Sequence, residues 1–151
     1  MSKLARILVW SALCALLVTG LPAHSASRSE QPFKIIVNSS NPAMTVSTEE
    51  ASSLFLKKTS AWPNGVWVEP VDLHRSSDVR EGFTRAVHRK SVAAVRSYWQ
   101  RAVFSGLATP APTLKTDAEV VEFVARRAGA IGYVSEGASL QVGVRVVELV
   151  N

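Results

Sequence analysis

Residues 66–83 read Val-Trp-Val-Glu-Pro-Val-Asp-Leu-His-Arg-Ser-Ser-Asp-Val-Arg-Glu-Gly-Phe, and this stretch decides the fold class. Val66 to Val71 predicts a strand, with Pro70 marking its end or an edge position. Asp72 to Ser77 predicts a polar loop. Val79, Phe83, Ala86 and Val87 then recur at helical spacing, with Ser77 or Asp78 as the cap. A strand that runs through a polar loop into a capped helix is a unit of α/β architecture.

The flanking sequence repeats the pattern. On the N-terminal side, Phe33-Lys34-Ile35-Ile36-Val37 predicts a strand and Asn38 to Pro42 a loop. Ser47 with Glu50 has capping-box spacing ahead of Ala51, Leu54 and Phe55. Trp62-Pro63-Asn64-Gly65 predicts a turn. On the C-terminal side, Arg89-Lys90-Ser91 breaks the helix, and Ser91 caps another whose inward face is Val92, Val95, Trp99, Ala102 and Val103. Gly106, Pro110 and Pro112 mark a loop. Thr116 and Glu119 form a second capping box before Val120, Phe123 and Val124, and Gly129 is placed to end that helix. Ala130 to Val134 predicts a buried strand and Val144 to Val150 a final one. The expected order is β-α-β-α-α-α-β-β: an α/β layer with a mixed, mostly parallel sheet flanked by helices.

At 151 residues, 47% hydrophobic and 19% charged, the chain has the composition of one folded domain rather than a disordered segment. The first 26 residues read as an address. Lys3 and Arg6 precede an apolar run from Ile7 to Leu21, which is shorter than the about 20 residues of a spanning helix. Pro22 and the small residues Ala23, Ser25 and Ala26 follow, so cleavage after Ser25 or Ala26 is expected, with export to the periplasm and no membrane span in the mature chain. Cys14 is preceded by the bulky Leu13 and lies inside the run, which argues against lipidation. Residues 27–151 then form the single domain. The one cysteine leaves with the signal, which excludes a disulfide framework and a cysteine-based zinc site. No metal or cofactor is expected. Loss of Lys3 and Arg6 lowers the formal charge from +5 to +3. The basic residues are dispersed among acids rather than gathered in a stripe, so nucleic acid is not an expected partner.

The chemistry is expected in the loop Asp72-Leu73-His74-Arg75-Ser76-Ser77-Asp78-Val79-Arg80. The first turn of a helix offers free N–H groups and the positive end of its dipole. Serine hydroxyls can donate, and arginine binds oxyanions through paired hydrogen bonds. Arg75, Ser76, Ser77 and Arg80 are the candidate anion ligands. The same Ser and Asp residues also serve as ordinary caps, and Asp78 opposes an anion. A hydrolase reading would take Asp72, His74 and Ser76 or Ser77 as orienter, base and nucleophile. In an extended segment, alternate residues are about 7 Å apart, too far to form that chain. His88 is expected on the exposed side of its helix. Trp62, Trp67, Trp99, Phe104 and Tyr133 are expected in the core.

Several segments together resemble the phosphate-binding proteins of phosphate ABC transporters. Leu54-Phe55-Leu56-Lys57-Lys58 followed by Trp62-Pro63-Asn64-Gly65 is similar to their I-F-L-G-K…W-x-[DN]-G stretch, and Val68-Glu69-Pro70-Val71 to the strand after it. Arg75 to Phe83 resembles their R-S-x-S-G-T-R-x-x-F anion loop. Trp99, Phe104-Ser105-Gly106 and Gly129-Ala130-Ile131-Gly132-Tyr133-Val134 complete the series. The resemblance implies a periplasmic-binding-protein-like lobe, where full-length members enclose phosphate between two lobes. It implies a non-enzymatic binder of a small anion such as phosphate. Arg75 and Ser77 keep matching types, Ser76 is adjacent, and Asp78-Val79 replaces Gly-Thr. The alternative expectation is an interaction module that kept the fold and lost the ligand, facing a membrane protein or a second copy of the chain.

Overall fold

The computed structural model describes residues 33–151; the expected signal segment 1–26 and the polar stretch 27–32 lie outside the described residues. In chain order the elements are β1 (Phe33–Asn38), β2 (Thr45–Ser47), α1 (Thr48–Phe55), β3 (Glu69–Pro70), β4 (Asp72–Leu73), α2 (Asp78–His88), α3 (Val92–Phe104), β5 (Thr113–Leu114), α4 (Asp117–Ala125), β6 (Ala130–Ser135) and β7 (Val144–Val150). Five strands form one sheet in the order β2-β7-β1-β6-β3, and β4 pairs with β5 apart from it.

The sheet is mixed. Its parallel pairs are β2–β7 and β3–β6, and the separate pair β4–β5 is parallel too. These ladders are only two or three residues long. The long ladders are antiparallel, and both belong to β1, which runs from Phe33↔Ser135 to Val37↔Ile131 against β6 and from Ile35↔Val147 to Asn38↔Val144 against β7. Strand β1 is apolar almost throughout because both of its edges and both of its faces are covered.

The expected strand Val66–Val71 is divided between two partners, which corrects that expectation. Val66 and Val68 bond back to Trp62 and Ser60 around the Trp62–Gly65 turn, so only Glu69–Val71 reaches β6, where Glu69–Pro70 pairs and the Val71 N–H donates to the Ile131 carbonyl at 2.9 Å. Pro70 has no N–H to extend the ladder, and β3 is a sheet edge. The chain then leaves the sheet, and Asp72 and His74 bond to Pro112 and Leu114 beside β5. Strands β2, β4 and β5 were not expected, and β4 takes Asp72–Leu73 out of the expected polar loop; each is too short to show a period in sequence.

The helix starts follow the caps. Ser47, Ser77, Ser91 and Thr116 each accept a backbone N–H three residues on, and Thr116 with Glu119 completes both arms of the capping box. The backbone N–H groups that Glu119 accepts hold its carboxyl below its ordinary range. Phe33, Phe55, Phe83 and Tyr133 form an aromatic centre, with Phe83 and Tyr133 stacked at 3.8 Å and Phe33 and Phe55 edge-on. Truncating a ring there to Ala is expected to cost about 3–5 kcal/mol. A smaller cluster of Leu56, Val95, Trp99 and Ala102 fastens α3. Two glycines are required by close approach. A Cβ at Gly132 would lie 2.7 Å from Val120 and 2.9 Å from Val71, and one at Gly129 would lie 1.8 Å from the Trp67 carbonyl.

Three burial expectations are corrected. Trp67 and Phe104 stand 71% and 93% exposed, outside the core, and Val103 is half exposed. Trp67 sits on the short turn pair with Ala61, and Phe104 is the last residue of α3, where the helix has passed beyond the cluster it packs on.

Candidate functional site

The first turn of α2 and the loop before it form the candidate site. Strand β4 delivers the loop, and His74–Ser77 closes as a turn, with Ser77 N–H donating to the His74 carbonyl at 2.9 Å. The Ser77 side chain then caps α2 by accepting from Arg80 N at 3.4 Å. Its hydroxyl proton is not used by that bond and can donate outward. Asp78 and Val79 hold first-turn N–H groups, which have no intrahelical acceptor.

The four expected ligands are placed differently from one another. Arg75 is exposed at the tip of the turn and lines a cleft of about 580 Å³ beside α2. Ser77 is half-buried at the cap. Ser76 is exposed but turned back on its own loop. Its hydroxyl lies 2.7 Å from His74 Nδ1, and its N–H donates to the same nitrogen at 3.3 Å. Since an N–H can only donate, Nδ1 is an acceptor here, and the Ser76 hydroxyl donates to it.

Arg80 faces the opposite way. Its guanidinium is turned under the loop, with Nη2 2.6 Å from Asp72 Oδ2 and Nη1 donating to the Leu73 carbonyl at 2.5 Å. Tyr133 donates its hydroxyl to Asp72 Oδ1 and accepts from Leu73 N–H at 3.3 Å. Asp72, Arg80 and Tyr133 therefore make one buried polar knot that ties the end of β4 to α2 and to β6. Burial raises the Asp72 carboxyl above its ordinary range, and Arg80 and the Tyr133 hydroxyl only partly oppose that. Burial, then the Asp72 charge, pushes the Tyr133 phenol upward, so it stays a donor. The Arg80 Nε is buried and has no partner among the described residues.

The hydrolase arrangement is not assembled. His74 and Ser76 do meet, against the spacing argument, because the segment is a turn rather than extended chain. The carboxylate that would orient the imidazole is held in the knot with Arg80 and Tyr133. Among the described residues no three His, Cys, Asp or Glu side chains gather to hold a metal ion.

His88 corrects a further expectation. It is half-buried, its Nδ1 lies 2.9 Å from the Ser52 hydroxyl, and its ring stands edge-on to Phe83. Burial first, then the charges of Arg80, Lys58 and Lys90, lower its pKa to about 4. The helical spacing that puts Phe83 and Val87 inward carries His88 to the α1 boundary. The signal that could have found it is the small Ser52 on the facing helix.

No sequence-family model and no curated protein matches the chain. Its structure does match solved ones. An ABC-type phosphate transport receptor from Vibrio cholerae superposes with a TM-score of 0.61 at 17% identity, over 78% of this chain and 46% of the receptor. A Clostridium perfringens protein, described as a phosphate ABC transporter substrate-binding protein and solved with phosphate bound, gives 0.62 at 16% identity over 78% and 44%. PstS from Borrelia burgdorferi gives 0.55 at 12% identity over 78% and 47%. The chain thus has the periplasmic-binding-protein-like α/β fold that its motifs implied, and it spans less than half the length of each of these proteins.

Proposed function

We propose that this chain is a non-enzymatic binding protein for a small oxyanion of the phosphate type, exported to the periplasm and related in role to transporter receptors. The observation that carries this reading is the loop at the start of α2. Arg75 stands exposed there, the Ser77 hydroxyl is free to donate, and the first-turn N–H groups point out of the helix. The likeness in fold to phosphate receptors supports the same class of ligand. Arg75 and Ser77 would touch the anion directly. Ser76 would reach it only by giving up its bond to His74. Arg80 would act from beneath, by holding the loop through Leu73 and Asp72.

Calorimetric titration of phosphate into phosphate-free protein, with sulfate as the control, tests the reading. Saturable binding lost in Arg75→Ala supports it, and no heat at millimolar phosphate refutes it. The second reading is an interaction module that docks on a membrane protein or on a second copy. The Asp78 carboxylate and the Val79 side chain at the first turn favour it, because both oppose close approach of an anion. Under that reading phosphate gives no heat and light scattering or cross-linking finds the partner. Export is tested separately by N-terminal sequencing of the secreted product, where a start at Ala26 or Ser27 is expected.

A further inference from the structure

His74 lies inside the α2 loop and has no task in the anion-binding reading. Its imidazole is exposed, and Nδ1 accepts twice from one neighbour, from the Ser76 hydroxyl at 2.7 Å and from the Ser76 N–H at 3.3 Å. Ser76 directly precedes the cap residue Ser77, so the ring edge sits on the backbone that enters the first turn of α2. Both contacts need a lone pair on Nδ1. A neutral imidazole has one acceptor nitrogen, and an imidazolium has none. On protonation Nδ1–H and the Ser76 N–H would face each other as two donors. The Ser76 hydroxyl could stay only by reversing, as an acceptor, which leaves its own proton free. Either way the N–H and the hydroxyl proton of Ser76 are released at the helix start, beside a new positive charge.

The surroundings supply no other acceptor. No carboxylate pairs with this imidazole among the described residues. Asp72 below is held by Arg80 and Tyr133. Arg75 follows His74 in the turn, and Asp78 opens α2. On the β5 side the His74 N–H donates to the Leu114 carbonyl, with Lys115 next in the chain. At the start of α4, Asp117 and Glu119 are engaged with backbone N–H groups. An oxyanion can accept from the imidazolium and from both released donors of Ser76. We propose that His74 is a further ligand of the anion site, which in its protonated form releases Ser76 and binds the oxyanion together with it. This rests on the anion-binding reading of the α2 loop and adds a requirement for acidity, since imidazoles gain their proton between about pH 5 and 8. Anion binding and protonation then favour each other, and affinity rises as the pH falls through that range. His88, with a pKa of about 4, stays largely neutral there.

The test is calorimetric titration of inorganic phosphate into the phosphate-free protein, His74→Gln and Ser76→Ala, at about pH 5.5 and about pH 8, on either side of the imidazole range. Phosphate itself gains a proton over this interval, so the ratio of parent to variant affinity is read at each pH. The parent is expected to bind at least about fivefold more tightly than His74→Gln at the lower pH, with the ratio falling toward one at the higher. Ser76→Ala should lose part of the same gain. If the ratio to His74→Gln is equal at both pH values, or Ser76→Ala keeps the whole gain, the role of His74 is overturned and the α2 reading stands, because phosphate still binds. If phosphate gives no heat at either pH, both fall. A second measurement needs only the parent to be folded. Saturating phosphate at about pH 7 should move the imidazole proton resonances that are missing from His74→Gln toward their protonated positions, and resonances that stay in place overturn the proposal.

Discussion

Two arginines five residues apart, Arg75 and Arg80, show how one helix start can serve the interior and the surface at once. Arg80 is almost wholly enclosed, and its charge is spent on Asp72 and the Leu73 carbonyl. Arg75 has no such partner among the described residues and lines an open cleft. The difference is set by the helix. Position 80 falls on the inward side of α2 with Phe83 and Val87, and position 75 lies in the turn before the helix begins. A buried ion pair fixes geometry but contributes little net stability over an apolar substitute. An exposed cation contributes almost nothing to folding and is free to act on a ligand.

The largest expected effect comes from breaking the inner knot. Arg80→Ala leaves Asp72 buried without its counter-charge and should lower unfolding stability by about 3–5 kcal/mol in urea titrations. An Asp72→Leu/Arg80→Met double variant should recover much of that loss. If the single and double variants unfold alike, the ion pair does not organise this loop.

Acid comes next. His88 has a folded pKa of about 4, below its ordinary 6.5. The unfolded chain therefore takes up the proton first, and stability is complete above about pH 6.5 and declines as the pH falls toward 4. The loss is on the order of 3 kcal/mol, and His88→Gln should flatten this part of the pH profile of the urea midpoint. An unchanged slope in the variant would assign the acid sensitivity elsewhere.

Tyr133→Phe removes the phenol that donates to Asp72 and accepts from Leu73, and is expected to cost about 1–2 kcal/mol while the aromatic stack stays in place. The smallest effect on folding should be that of Arg75→Ala, within about 0.5 kcal/mol of the parent. The same variant should lose at least tenfold in phosphate affinity, the size expected of a charge-assisted contact. A stable Arg75→Ala protein with undiminished affinity would move the anion site away from this loop.

The N-terminal caps, the helices and the final strand were legible in the sequence because each is a local agreement of chemistry, whereas α4 stops at Ala125 with Arg126 as its C-cap and not at Gly129 as expected. Ser77, Ser91 and Thr116 satisfy backbone donors three residues away, and the apolar period over Val79–Val87 needs no distant partner to be recognised. Strand β7 was legible end to end for the same reason. The division of Val66–Val71 was not, because two-residue parallel pairs are decided by whichever strand lies beside them. His88 was misplaced because a helical period does not say how wide the covered face is, and α1 extends that cover to position 88.

The candidate loop was legible as a cluster of residues, and the surroundings of each side chain were not. By itself the sequence determined that two arginines and two serines surround the start of a capped helix, since that depends only on residue order. Tertiary structure alone decided which of them remain available. Ser76 is drawn to His74 by a turn, and Arg80 is drawn inward because Asp72 and Tyr133, 61 residues apart in the chain, meet beneath the loop. A buried carboxylate must find its counter-charge, and the nearest one on the inner face of α2 is Arg80. Arg75 lines the cleft because it lies in the turn before α2, outside the knot.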